Sequence, residues 1–463
     1  MFLREAWYVP VTYVRQYGSR RALRRRQLAQ LNRMLAHARA RVPYYRAHPA
    51  YRTGPLRSLA EVARLPVIDK EVLRGRPVEE LLADGAEPGA LPTFRTSGST
   101  GRRVTVVHDH RSHDYHLASC VRRFLATGRY RPTDRLSHIR PFAPPARGYQ
   151  KAGLFRRHVL LTDRPMDEIK AELLAARPQV VIGYPVHLRA LLRALGPAEL
   201  AALRTTLKLV MTESELLVPE HRALLEREFG APVHDEYSAF EVLNIAYECR
   251  HQRAHLAEDR LLVEILGPDG RPLPDGGEGR VVVTAFMERA MPLIRYDLGD
   301  VGRIDTGPCP CGRRFRTLRL TAGRVNDAVS LPNGRQLYPD TFLHLAATFP
   351  GIAECGVVQD RAGAVRLNVV PDGELSPAAW DELTAGVRER LLAVAGCDFP
   401  LEVVRAGSVE ITAGGKGRFV TSDVVAPVAP VAPVAPVTPV TPVAPVAPGA
   451  SAAAVDPART TPA

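Results

Sequence analysis

Residues Thr93 to Asp109 read TFRTSGSTGRRVTVVHD, in which TSGSTG is made wholly of glycine and hydroxyl residues and is followed by two arginines and a β-branched run. Gly98 and Gly101 let the chain turn tightly and aim its backbone N–H groups one way. Thr96, Ser97, Ser99 and Thr100 add hydroxyl donors, and Arg102 and Arg103 add fixed positive charge. Clustered N–H groups beside cations make an anion nest, so the loop suits phosphate oxygens. A plain polar turn has the same composition. The pattern GxxxxGK[ST] is absent, so this is no Walker loop. A second cluster combines Cys309-Pro-Cys311 with Cys249 and His255 of ECRHQRAH. Three thiolates and an imidazole form a candidate Cys₃His set of the structural zinc type, closed to substrate. The CxC gap is shorter than the usual CxxC, His251 is an alternative to His255, and buried free cysteines are common.

The elements that must position these residues follow from hydrophobic periodicity. Leu23, Leu28, Leu31, Leu35 and Ala36 recur at helical spacing, which predicts one amphipathic helix over 20–40. It ends before Pro43, since proline disfavours helix in the residue before it. Between 91 and about 320, strand-like runs (VTVV, PQVVIGYP, LVEIL) alternate with helical runs (DEIKAELLAA, VHLRALLRAL), the signature of α/β layering. LLVEIL and GRVVVTAF flank a Gly/Pro/Asp-rich connection and read as a hairpin. The fold class is thus α/β, with a large multi-layer N-terminal α/β domain over 1–325. A smaller α+β domain over 326–422 contains a hairpin (VSLPNGRQLYP), a helix (AAWDELTAGVRERLLAVA) and a strand (LEVVRAGSV). From Pro427 to Pro448 proline stands at every third position, which excludes helix and sheet and predicts a disordered, semi-extended tail over 423–463.

Composition narrows the class. The chain has 463 residues, 46% hydrophobic and 24% charged, an ordinary globular balance. No apolar run approaches the roughly 18 residues of a membrane span. The start lacks a signal-peptide core, so a cytoplasmic protein without membrane insertion is expected. Six cysteines spread over this length argue against a disulfide framework; Cys120, Cys355 and Cys397 read as packing residues. The net charge of +13 is densest in RRALRRRQ, Arg20 to Gln27. No aromatic-interleaved basic patch follows, so a solvated helix face is expected there and no specific nucleic-acid partner. Steering of an anionic substrate is consistent with the charge. Nothing in the sequence specifies an oligomeric state.

Five motifs fall in a fixed order: TSGSTG at 96–101, HDEYSAFE at 234–241, RYDLGD at 295–300, GRVND at 323–327 and GGKGR at 414–418. Their order and gaps resemble the adenylate-forming (AMP-binding) ligase superfamily. QLAQLNRMLAHARARVPYYR, LPVIDKEVLR, PQVVIGYPVHLRALL and MPLIRYDLGD resemble its phenylacetate–coenzyme A ligase branch, including capsule-biosynthesis-type relatives; the resemblance covers roughly 20–421. It implies two steps: a carboxylic acid attacks the α-phosphate of ATP to give an acyl-adenylate and pyrophosphate, then coenzyme A takes the acyl group. By branch resemblance the acid is aromatic. The same resemblance implies that Thr96–Arg102 hold phosphate, with Arg102 standing where the family usually has lysine. It implies that Tyr237 stacks beside adenine, Glu241 holds Mg²⁺, Asp300 takes the ribose hydroxyls and Arg324 contacts the nucleotide. Arg295 and Asp297 brace their turn. Asn326 and Asp327 sit at the family's domain hinge, where Asn326 departs from the usual Asp or Lys. Lys416, on a glycine-rich loop of a mobile C-terminal domain, reaches the α-phosphate region.

The acyl pocket is expected from 140–153 and from Gly183, Tyr184 and Pro185. Two other readings stay open from sequence: adenylation with an amine or a cofactor as acceptor, and a nucleotide-binding protein that has lost catalysis. Retention of Glu241, Asp300, Arg324 and Lys416 argues against the latter.

Overall fold

The computed structural model describes residues 2–95, 104–144, 146, 148–324, 328–412, 416–422 and 424. The phosphate-loop residues Thr96–Arg103, the hinge residues Val325–Asp327, Gly414 and Gly415 of the lysine loop, and the tail apart from Val424 lie outside the described residues, as do the expectations attached to them.

Strands β1 (Thr93–Arg95) and β2 (Thr105–Val107) pair antiparallel and flank the TSGSTG segment. The large sheet begins with β3 (Leu136–Arg140), β4 (Arg157–Leu161), β5 (Val180–Gly183), β6 (Leu209–Glu213) and β7 (Val233–Ala239). It continues through β8 (Leu243–Glu248), β9 (Ala254–Leu256), β10 (Leu261–Leu266), β11 (Glu278–Ala285), β12 (Tyr296–Asp305) and β13 (Thr317–Arg324). These eleven strands run in the order β10-β11-β12-β13-β9-β8-β7-β6-β5-β3-β4. Pairings from β4 to β7 are parallel and the rest are antiparallel.

The parallel strands read as unbroken apolar runs because both faces are covered. On one face Ile139, Val181 and Val210 join Ile169 and Leu173 of helix Met166–Ala176, Leu188 of Pro185–Ala194 and Phe229 of Pro219–Phe229 in one core. On the other, Leu136, Val180, Ile182, Leu209 and Met211 pack with Phe124 of helix His110–Ala126. The antiparallel half folds over a third core, in which Leu31, Met34 and Leu35 of helix Arg20–Arg41 meet β10 and β11. That helix starts where Ser19 accepts the Ala22 N–H and stops at Val42, one residue before Pro43, as the sequence dictates. The hairpin expected between LLVEIL and GRVVVTAF is the β10–β11 pair, with Leu261 opposite Ala285.

After β13, the short hairpin β14 (Val329–Ser330) and β15 (Gln336–Leu337) leads into β16 (Ile352–Gln359) and β17 (Val365–Pro371). With β18 (Leu401–Arg405) and β19 (Val420–Ser422) they form a second sheet in the order β18-β17-β16-β19. Helices Pro339–Thr348 and Pro377–Ala395 cover it, and Phe342, Leu367, Val387 and Leu391 form a separate core. Among the described residues no helix is long and apolar enough to cross a membrane.

Candidate active site

In a parallel sheet the helix-linked strands leave a crevice at their carboxyl ends, where ligands bind. Here the carboxyl ends of β3, β5, β6 and β7 bring Arg140, Tyr184, Glu213 and Tyr237 to one edge. A narrow cleft of about 160 Å³ lies there, lined by Tyr237, Glu241, Asp300, Lys416 and Lys70 among others. Four residues expected from sequence to share a site, 179 positions apart at the extremes (Tyr237 to Lys416), therefore do share one.

Their local geometry is specific. The Tyr237 hydroxyl donates to Asp300 Oδ2 at 2.5 Å. Asp300 lies on β12 directly opposite Arg324 on β13, so the RYDLGD and GRVND motifs are register partners. Glu241, buried just beyond β7, accepts the Tyr296 hydroxyl at 3.1 Å through Oε1. The same oxygen faces Lys70 Nζ at 3.6 Å. Arg295 and Asp297 brace the turn, as expected. Arg295 adopts φ 52°, pairs with Glu264 at 3.1 Å and donates to the Leu65 carbonyl at 2.6 Å. Asp297 accepts the Gly299 N–H at 2.8 Å.

Lys416 closes a turn that Thr412 ties from both sides: the Thr412 N–H donates to the Lys416 carbonyl at 2.8 Å, and Thr412 Oγ1 accepts the Lys416 N–H at 3.2 Å. Gly417 then donates its N–H to Glu215 Oε1 at 2.6 Å. A Cβ at Gly417 would stand 2.6 Å from the tip of the Phe419 ring, so any larger residue here would require that ring to move. Glu215 also accepts the Val186 N–H at 3.1 Å. Burial pushes its carboxyl up to about 7, against the lowering effect of these two N–H groups and Lys416.

The narrow cleft opens toward a second cavity of about 460 Å³. Arg140, Phe142, Pro144 and Gln150 of the 140–153 segment line it, and so does Tyr184. Gly183 and Pro185 are not among its lining residues. A Cβ at Gly183 would press on Leu188 at 3.2 Å, so this glycine serves strand–helix packing. Cys120 also lines the cavity, with Sγ 3.3 Å from His116 Nε2. Sequence reading missed Glu215 and Thr412, which carry no motif of their own, and did not single out Lys70 within LPVIDKEVLR.

At the far end of β8 and β9, Cys249, His255, Cys309 and Cys311 put their ligand atoms within 4.8 Å of one another. The Cys249 and Cys309 sulfurs are 3.6 Å apart, and Cys311 Sγ is 3.2 Å from His255 Nε2. His255 Nδ1 lies 2.8 Å from the Phe315 carbonyl, so Nδ1 is the donor and Nε2 faces the sulfurs. Burial holds this imidazole down at about 4 and keeps it neutral. The donor types, their separations and the outer hydrogen bond fit a tetrahedral zinc ion. His251 is exposed and outside the cluster.

Solved structures of CoA ligases share this fold. The structure of 2-hydroxyisobutyryl-CoA ligase in the postadenylation state, in complex with R3-HIB-AMP, superimposes with a TM-score of 0.72 at 21% identity, covering 86% of this chain and 89% of that one. In sequence the chain is similar to phenylacetate-coenzyme A ligase of Thermus thermophilus, 28% identical over 337 residues that span 69% of this chain and 74% of that protein. It is likewise similar to phenylacetate-coenzyme A ligase of Aromatoleum evansii, 27% identical over 433 residues, 87% of this chain and 95% of that protein. No protein-family model matches the chain.

Proposed function

We propose that the protein activates a carboxylic acid with ATP as an acyl-adenylate and then transfers the acyl group to coenzyme A. The observation that carries this reading is the convergence of Tyr237, Glu241, Asp300 and Lys416 on one cleft that opens into a separate cavity. One cavity takes the acid, and the cleft takes the nucleotide. The similarity to phenylacetate-coenzyme A ligases along most of the chain supports the same chemistry.

In this reading Asp300 accepts the ribose hydroxyls, and its bond from Tyr237 fixes the carboxylate while the Tyr237 ring flanks adenine. Arg324, in register with Asp300, is assigned to the nucleotide by its place in the GRVND motif. Glu241 offers the hard carboxylate oxygen that Mg²⁺ takes beside phosphates, and Tyr296 orients it. Magnesium would neutralise phosphate charge. Lys416 lines both cavities, where the acid and the α-phosphate meet, and a cation there stabilises charge that develops in the transition state. The TSGSTG segment and Arg102 would hold the departing pyrophosphate.

Residues from 326 onward, with their own core, form a small domain whose docking through Gly417 delivers Lys416 and whose rotation near Asn326 makes room for coenzyme A. Cys249, His255, Cys309 and Cys311 hold a structural zinc ion that staples the β8–β9 turn to the 309–312 loop. The test is pyrophosphate release from ATP and Mg²⁺ that depends on an added acid. Release that ignores the acid would overturn the reading.

A further inference from the structure

The larger cavity has aromatic walls. Phe94 stacks on Phe240 with ring centres 5.8 Å apart, and Phe124 on Tyr130 at 4.5 Å. One side of it is cationic. Leu136, His138 and Arg140 alternate onto one face of β3, and Arg157, opposite Leu136 in parallel register on β4, shares that face. Both arginines line the cavity, together with Arg123 from helix His110–Ala126.

The three guanidinium groups differ in their surroundings. Arg123 is neutralised by Glu213 at 3.3 Å and by Glu236. Glu213 is further engaged by His138 at 2.9 Å. Burial pushes the Glu213 carboxyl up, but His138, Arg123 and Arg140 together hold it well below the usual carboxylate range. Among the described residues no carboxylate lies within ion-pair distance of Arg140 or Arg157. Arg140 Nε is buried without a hydrogen-bond partner, and its guanidinium stacks 4.0 Å from the Phe142 ring centre. Burial lowers the pKa of both arginines, and Arg123 and Arg140 add repulsion on Arg157. A guanidinium does not lose its proton in a protein, so these charges stay and call for an anion.

We propose that the acid activated here carries a second anionic group, a carboxylate or its equivalent, which binds at Arg140 and Arg157 while the reacting carboxylate points toward Lys416. The inference rests on the ligase reading and names its substrate class. A planar guanidinium pairs with carboxylate through two parallel hydrogen bonds, and such charge-assisted bonds are the strong ones. A simple apolar acid would leave both half-buried cations without a carboxylate at ion-pair distance, with only the more distant charge of Glu213 to offset them, and a site built for a polar group rejects the analogue that lacks it.

The experiment compares 3- and 4-carboxyphenylacetate and glutarate with phenylacetate and butyrate, using the full chain. Pyrophosphate release gives kcat/KM, and calorimetry gives binding of each acid. At least one diacid should exceed its monoacid counterpart by about tenfold or more in kcat/KM. That ratio should collapse toward one in Arg140→Gln and Arg157→Gln and recover in part in Arg157→Lys, which keeps the charge. Wild-type protein that prefers the monoacids, or variants that keep the diacid ratio, would overturn the proposal. The two readings fail separately. Arginine-dependent diacid binding without pyrophosphate release would leave the anion site standing and remove the ligase reading. Release with monoacids alone would do the reverse.

Discussion

The Glu215 carboxylate accepts the Gly417 backbone N–H at 2.6 Å, which joins the segment after β6 to the Lys416 turn across 202 residues of sequence. Glu215 is thus the anchor for the turn that brings Lys416 to the cleft. Buried in this docked arrangement, its carboxyl is raised from 4.5 to about 7. A raised acid pKa means the docked state holds the proton more tightly than a solvated carboxyl does. Docking is therefore favoured below about pH 4.5, weakens as pH rises through 7, and levels off above. Glu354 raises this pKa and Lys416 lowers it. Glu215→Gln keeps an acceptor oxygen and removes the proton. The wild-type to variant ratio of acyl-adenylate formation should fall as pH rises from about 6 to 8. A ratio independent of pH would exclude this role for Glu215.

Lys416→Ala should lower acyl-adenylate formation by about 10² to 10³ or more, in line with the loss of one preorganised charge at a developing anion. ATP binding should change little, because Tyr237 and Asp300 remain in place. ATP–pyrophosphate exchange measures the first and calorimetry with ATP the second. Normal exchange by the variant would remove Lys416 from the chemistry.

Tyr237→Phe and Asp300→Ala separate ring from hydrogen bond. The first keeps the aromatic face and loses the 2.5 Å bond to Asp300; the second loses the ribose acceptor. KM for ATP should rise a few-fold in Tyr237→Phe and about tenfold or more in Asp300→Ala, with smaller effects on kcat. Equal KM values in all three proteins would place the nucleotide elsewhere.

Much of this site was legible in the sequence because its chemistry sits in short ordered motifs. Tyr237 lies within β7, Glu241 two residues beyond it and Asp300 within β12, each inside a short motif that fixes its residue type, and the structure brings them to one cleft with Lys416. The α/β alternation was legible for a related reason: the buried parallel strands are unbroken apolar runs. Glu215 and Lys70 were not legible. Each acts through a partner far along the chain, Gly417 and Glu241, and neither a lone glutamate nor a lone lysine marks such a contact. Cys120 read as a packing residue because a single cysteine has no spacing; in the structure it faces the larger cavity beside His116. Of the turn after β5, Tyr184 lines the larger cavity and Gly183 and Pro185 do not, which spacing alone could not distinguish.

The Cys/His cluster makes a prediction of its own. Protein purified without chelator should hold about one zinc per chain by plasma emission analysis, with a Cys₃His signature in X-ray absorption. Cys309→Ser should lose most of that zinc and lower Tm by about 5 °C or more, since binding free energy at such sites is folding free energy. Less than about half an equivalent in the wild-type chain would argue against the site.

The central claim is tested most directly by mass spectrometry of quenched reactions containing ATP, Mg²⁺ and a panel of aromatic and aliphatic acids, with and without coenzyme A. An acyl-adenylate is expected without coenzyme A and the matching thioester with it, both reduced by about 10² to 10³ or more in Lys416→Ala. An adenylate that persists unchanged when coenzyme A is present, with no thioester for any acid, would contradict the proposed acceptor; the absence of both products would contradict the ligase reading itself.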